Sequence, residues 1–161
     1  VAKFSGILTS SLDEKGRTSI PVKMREILVS EFGDDRVVLT KGAPVRSSTG
    51  EICRGLSLYP VREFAELEER LDRQTGLTAA ELKSVRNLII APAELCAFDR
   101  QGRILVPPSL RSYAALDREV VFVGGQNTKI DLWNPVTWEL VSRQAEEDFP
   151  VDSPILADLG L

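Results

Sequence analysis

The chain has 161 residues, 43% of them hydrophobic, with 20 Lys and Arg against 24 Asp and Glu and a formal net charge of −4. Such a chain builds one compact domain or two intimate half-domains, and its apolar content excludes wholesale disorder. No apolar run nears the roughly 18 residues of a membrane span, and no basic-then-apolar leader opens it, so the expected compartment is the cytoplasm, with no membrane partner.

Ile7 to Leu12 mixes apolar and hydroxyl residues as a short strand does, and Arg17 to Ile20 is a second such segment. Between them, Asp13-Glu14-Lys15-Gly16 reads as a hairpin turn of type I character. The Asp carboxylate can accept from turn amides, and Gly can take the positive φ that closes the turn. Pro21 then favours a helix start. Met24, Ile27 and Leu28 follow at helical spacing, and Gly33 ends the helix. Val37 to Thr40 is a compact β-branched strand that Leu56 to Tyr59 pairs with, and Pro60 opens a helix carrying Phe64, Leu67 and Leu71. The intervening stretch from Lys41 to Gly55 reads as a long polar loop. Thr78-Ala79-Ala80-Glu81 is a capping-box start for a further helix with Leu82, Val85, Leu88 and Ile89, ending before Pro92. These connecting helices either pack on the β core and join the halves or form a subunit contact.

The opening order then recurs. Asp13 and Asp99, Gly16 and Gly102, Arg17 and Arg103, Pro21 and Pro107, and Arg25 and Arg111 are each 86 positions apart. An apolar residue precedes each Asp (Leu12, Phe98) and each Pro (Ile20, Val106). Five identities held in one register mark a tandem duplication. Ile104 to Val106 repeats the second strand, Leu110 and Tyr113 a short helix, Val120 to Val123 the third strand, and Lys129 to Trp133 its partner across a Gly124-Gly125 turn. Asn134-Pro135 caps a last helix with Trp138 in the place of Phe64. The repeated unit is β-turn-β-α-β-β-α. From Glu146 onward the chain is acidic, and it reads as a loosely ordered tail that docks through Ile155, Leu156 and Leu159.

His is absent, and Cys53 and Cys96 stand 43 positions apart, so the Cys and His that a zinc site requires are too few. Cys96, between Leu95 and Ala97, reads as a buried strand residue. Without His the commonest general base is missing, and no nucleophile elbow or phosphate-cradling glycine loop occurs. No catalysis, metal, cofactor or small-molecule substrate is expected.

Arg17 and Arg103 each leave a glycine turn at a hairpin tip, where a long cation can reach outward. The guanidinium fork suits phosphate and guanine O6/N7. Lys15 and Arg100 enlarge the tips into small basic patches. A purely structural alternative is an ion pair across each turn, Asp13 with Arg17 and Asp99 with Arg103, worth about 0–1 kcal/mol when exposed. Arg25 and Arg111 read as structural donors lying against their own halves. The acidic balance argues against a general polyanion binder, yet Asp99 to Ser112 holds three Arg and one Asp. An acidic chain can still bind DNA by focusing cations on one face and multiplying copies.

The segment Leu12-Asp13-Glu14-Lys15-Gly16-Arg17-Thr18-Ser19-Ile20-Pro21 with Arg25, followed by Asp99-Arg100-Gln101-Gly102-Arg103-Ile104-Leu105-Val106-Pro107, resembles the MraZ family. So do Leu58-Tyr59-Pro60 with Phe64, and Val121 to Gly125 with Leu132-Trp133 and Trp138. The resemblance covers about residues 3 to 142. It implies an α+β fold of the AbrB type, a tandem-duplicated swapped-hairpin β-barrel with flanking helices. On that reading residues 5–63 are the first repeat, 64–91 connecting helices, 92–136 the second repeat, and 137–161 the C-terminal helix and tail. It implies a nucleoid-associated transcriptional regulator, a repressor of the division and cell-wall gene cluster and its own promoter. It would bind double-stranded DNA at direct repeats as a ring-shaped homo-oligomer. The DNA-reading residues carried over are Arg17 and Arg103, with Lys15 and Arg100 beside them. Two departures stand out: the 41–55 loop is long, and Gln101 replaces the lysine found at position 15. The competing class is an AbrB-type antitoxin whose acidic tail wraps a toxin, although such chains carry one motif and are shorter.

Overall fold

The computed structural model describes residues 4–161. The first half contributes strands β1 (Ile7–Ser11), β2 (Arg17–Ser19), β3 (Arg36–Lys41), β4 (Val45–Arg46), β5 (Ile52–Cys53) and β6 (Leu56–Pro60), with helices α1 (Val22–Phe32) and α2 (Val61–Arg73). Helix α3 (Ala79–Val85) and a π-helical turn, Arg86–Ile90, lead to the second half. There β7 (Glu94–Ala97), β8 (Arg103–Leu105), α4 (Pro108–Tyr113), β9 (Glu119–Val123), β10 (Ile130–Trp133) and α5 (Pro135–Asp148) follow in the same order, before the short α6 (Pro154–Asp158). The chain is a mixture of helix and strand, as expected.

Six strands form one antiparallel sheet in the order β1-β9-β10-β6-β3-β7. At its centre the halves meet through β10 and β6, where Asp131 faces Ser57. At its edges they interleave: β1 pairs with β9 of the second half and β7 with β3 of the first. Neither strand of the opening hairpin ladders with the other, beyond one bridge between Leu12 and Thr18. Instead β2 pairs with β8, register Thr18 to Ile104, as a separate two-stranded ribbon. A closed barrel is not what the described residues form; the sheet is open, with β1 and β7 as its edges.

The alternation of apolar side chains along the strands sets the layers, because successive residues point to opposite faces. Val37 and Leu39, Leu56 and Leu58, Val120 and Phe122, and Ile130 and Leu132 turn into one core. Met24 and Leu28 of α1, Leu110 of α4, and Ile104 under the ribbon close it from above. Each such fully buried Leu, Ile or Phe contributes roughly 1.5–3 kcal/mol over its exposed state. The opposite face carries Val38 and Thr40, and the Thr40 hydroxyl donates to the Ile89 carbonyl in the π-helical turn. There Tyr59 meets the Phe64 ring of α2 edge-on at 5.4 Å.

The helix starts hold with one shift of position. Pro21, Pro60 and Pro107 sit at the N-cap rather than the first helical residue, and the Pro21 and Pro107 carbonyls accept the Arg25 and Arg111 amides at 3.0 Å. Gly33 ends α1 and donates to Val29. The Thr78 hydroxyl accepts from the Glu81 amide, and Asn134 caps α5 through the Val136 amide.

Three expectations change. Residues 41–55 are not an open loop: β4 and β5 pair as a small hairpin, and the Ser48 amide at its tip donates to Gln144 of α5. The tail is more regular than its composition suggests. Helix α5 runs to Asp148, and Ser153 caps α6 by accepting from the Leu156 amide. Of the three residues expected to dock, Ile155 and Leu159 are not docked, at 72% and 71% exposed, while Leu156 is half-buried. Cys96 lies in a strand but is only half-buried.

Candidate nucleic-acid interface

Each hairpin tip is built by its aspartate. The Gly16 amide donates to the Asp13 carbonyl at 3.0 Å, closing the turn, with Gly16 at φ +84°. Asp13 Oδ1 accepts from the Lys15 and Arg17 amides at 3.0 and 2.8 Å, and Oδ2 from Arg17 Nε at 2.8 Å. The second tip repeats the pattern. Gly102 donates to the Asp99 carbonyl at 2.9 Å, the Gln101 and Arg103 amides reach Asp99 Oδ1, and Arg103 Nε reaches Oδ2 at 2.9 Å. The hydrogen bond from the Arg17 amide, aided by the Arg17 side chain and the Lys15 amide, holds the Asp13 carboxyl below the usual carboxylate range against the opposing effect of desolvation. Asp99 is lowered in the same way by Arg103.

The turn ion pairs weighed from the sequence therefore exist. They do not exhaust the arginines, because only Nε is engaged in each; the two terminal amino groups of Arg17 and of Arg103 make no hydrogen bond among the described residues. The carboxylate instead aims the guanidinium. Its side chain stays 36% exposed in Arg17 and 33% in Arg103.

The ribbon brings the two tips together. In the β2·β8 register Arg17 faces Leu105, Thr18 faces Ile104, and Ser19 faces Arg103. Thr18 and Ile104 point into the core, each 1% exposed. By strand alternation Arg17, Ser19, Arg103 and Leu105 share the outer face. Two arginines thus project from one narrow antiparallel ribbon. Lys15 and Arg100 are exposed on the turns and make no ion pair among the described residues. They are not equivalent: Lys15 is the third residue of its turn, Arg100 the second.

Arg25 is a donor to its own half as expected, but Arg25 and Arg111 also reach across to the opposite half. Arg25 Nε donates to the Ile20 carbonyl at 2.8 Å, but its guanidinium covers Gly102 of the second tip. Arg111 likewise covers Gly16 of the first. Sequence reading missed this crossing; the signal available was the paired recurrence of Arg25 with Gly16, and Arg111 with Gly102, at one offset. No group of three or more Cys, Asp or Glu side chains able to hold a metal occurs among the described residues, and no helix there is long and apolar enough to cross a membrane.

Comparison with known proteins bears out the family resemblance. Residues 89–153 match the family model described as "MraZ protein, putative antitoxin-like". A protein named Transcriptional regulator MraZ from Geotalea daltonii is 51% identical over 160 residues, covering 98% of this chain and 99% of its own length. Proteins of the same name from Geobacter sp. (strain M21) and Geotalea uraniireducens are 51% and 48% identical over the same shares. Identity of this order over nearly the whole length leaves one conclusion: the chain belongs to the MraZ family.

Proposed function

We propose that this protein is a sequence-specific DNA-binding transcriptional regulator that reads double-stranded DNA with the β2·β8 ribbon. The observation that carries the reading is the pair of carboxylate-aimed arginines, Arg17 and Arg103, on one outer face of that ribbon. A two-stranded ribbon fits the major groove, and terminal guanidinium nitrogens match guanine O6 and N7. Lys15 and Arg100 meet the flanking phosphates. The names of the relatives support regulation of transcription.

The finer reading follows the family. The chain is a duplicated AbrB-type unit with swapped hairpins, its repeats at 5–63 and 92–136, joined by 64–91 and followed by 137–161. The interleaved edges and the β2·β8 ribbon support it. It assembles as a ring on direct repeats, sits on the nucleoid in the cytoplasm, and represses the division and cell-wall cluster with its own promoter. It performs no catalysis and needs no cofactor.

The test is an electrophoretic shift on the region upstream of its own gene, with thermal melting alongside. Arg17→Ala and Arg103→Ala should lose the shifted band while melting like the parent. A folded Arg17→Ala protein of unchanged affinity would falsify the reading.

A second reading has its own observation. The acidic tail exposes Phe149, Val151, Ile155, Leu159 and Leu161, each more than half accessible. Such an apolar face on an acidic segment suits a protein partner, as an AbrB-type antitoxin would need. Affinity capture with and without residues 149–161 separates the two, a small basic protein favouring the second reading and promoter DNA the first.

A further inference from the structure

Arg25 and Arg111 close the repeated motif, and the DNA reading leaves them without a role. Their geometry is reciprocal. The Ile20 amide donates to the Gly102 carbonyl at 2.8 Å, and the Val106 amide donates to the Gly16 carbonyl at 2.8 Å. Each tip is therefore stitched to the strand end of the other half. Over each stitch lies an arginine from that other half. A Cβ added at Gly102 would overlap the Arg25 guanidinium, and one at Gly16 would stand 2.7 Å from Arg111 Cζ. Real Cβ contacts are not that short, so a side chain at either position would displace the arginine, and the positive φ of Gly16 and Gly102 favours glycine besides.

The two clamps are not equally made. Arg25 Nε donates to the Ile20 carbonyl, which completes a chain from Gly102 through Ile20 to Arg25. Arg111 Nε is buried and has no partner. An orphaned buried donor is unfavourable, so Arg111 holds this tip by packing alone over the Gly16 to Val106 backbone bond.

We propose that Arg25 and Arg111 are positioning residues that clamp each reading tip from the opposite half, the Arg25 clamp latched and the Arg111 clamp open, so that Arg103 is presented rigidly and Arg17 adaptably. The pair of tips then recognises DNA by one fixed element and one that adjusts. What this does for selectivity rests on the ribbon reading; the clamp itself does not.

Hydrogen exchange on the full chain without DNA tests the clamp. Arg25→Ala should speed exchange of the Ile20 amide about tenfold, while the Phe122 and Leu58 amides of the central sheet keep their rates. Arg111→Ala should speed Val106 by a smaller factor, because less holds it at the start. Arg25→Lys should behave like Arg25→Ala, since an ammonium has neither the flat fork nor the Nε donor. If truncation impairs folding, Arg25→Gln takes its place. Gly102→Asn, which tolerates positive φ, should reproduce the local effect in the parent and add little once Arg25 is replaced. An unchanged Ile20 rate, or core amides accelerating in parallel, overturns the proposal.

The second measurement is the ratio of affinities for the upstream fragment and a random duplex of equal length. Arg25→Ala should lower that ratio more than Arg111→Ala does, with the salt slope unchanged. A ratio unaffected by Arg25→Ala overturns the positioning role. A parent protein showing no selectivity sinks the DNA reading alone, and the exchange rates still judge the clamp.

Discussion

Replacing Arg17 and Lys15 singly should separate base reading from phosphate attraction. Arg17 has its Nε tied to Asp13 at 2.8 Å and leaves its terminal amino groups without a protein partner. A bidentate contact from such a group discriminates against the wrong base by about 1–3 kcal/mol, or roughly 5- to 150-fold. Arg17→Ala also leaves the Asp13 carboxylate facing the duplex unneutralised, which pushes the loss toward the upper end. Lys15 makes no ion pair among the described residues, so Lys15→Ala should remove one phosphate contact and flatten the slope of log K against log salt by about 0.9. With Lys15 and Arg100 as the two phosphate contacts of one subunit, that slope is about −1.8 on a single repeat. Several subunits on a three-repeat probe should steepen it. Fluorescence anisotropy at four salt concentrations, on an upstream duplex and a random one, reads all of these. Arg17→Ala should weaken the first duplex far more than the second, and Lys15→Ala should weaken both alike. The reasoning fails if Arg17→Ala weakens both duplexes by the same factor and flattens the slope by one contact. Arg17 would then be one more phosphate ligand.

Residues 4–75 and 76–161 made separately should each fail to fold as monomers, because β1 has its ladder only with β9 and β7 only with β3; a well-dispersed spectrum from either monomer refutes this. Acid should loosen the tips before neutral pH touches them: Asp13 and Asp99 are lowered from 3.8 by the Arg17 and Arg103 amides, so their contribution is complete above that value and lost as pH falls through the lower folded values. Carboxyl carbon shifts followed from pH 6 to 2 check it, and a midpoint at or above the ordinary value for either group contradicts it. Burial raises the Cys96 thiol to about 11 and pushes Cys53 upward too, so both should stay protonated and react slowly with a disulfide reagent at pH 8 until urea is added. Fast labelling of the folded protein counts against the packing around β5 and β7.

The order of elements was legible because its signals are local. Asp and Gly at three-residue spacing write a turn whichever strands flank it, and a Thr three residues before Glu writes a helix start. The offset of 86 made the second copy readable from the first. What stayed hidden was partner choice. Nothing in Ile7 to Ser11 says that it will ladder with Val123 to Glu119 rather than with the neighbour across its own turn. The crossing of Arg25 to Gly102 is hidden for the same reason: a side chain's reach is visible in sequence, but the direction of the reach is not. Residues 41–55 looked like a loop since their strands are two residues each, too short for any alternation to show. The open Arg111 clamp is a matter of one donor's surroundings, on which composition and spacing are silent.

The pairing of β1 with β9 has a consequence in time. Strand β1 ends at Ser11, and its first partner residue in the chain is Glu119, so about a hundred residues must be made in between. At translation rates of roughly 5–20 residues per second that is about 5–20 s. Throughout it the ribosome holds a chain whose opening strand has nothing to pair with, and until Val106 is made the first tip also lacks the strand end that anchors it. The Arg17 tip of a nascent chain therefore has no formed ribbon to project from. The ribbon can close once Arg103 to Leu105 are made, and the sheet edge at β1 only with Val120 to Val123, so on the DNA reading proposed above both tips become presentable together and late.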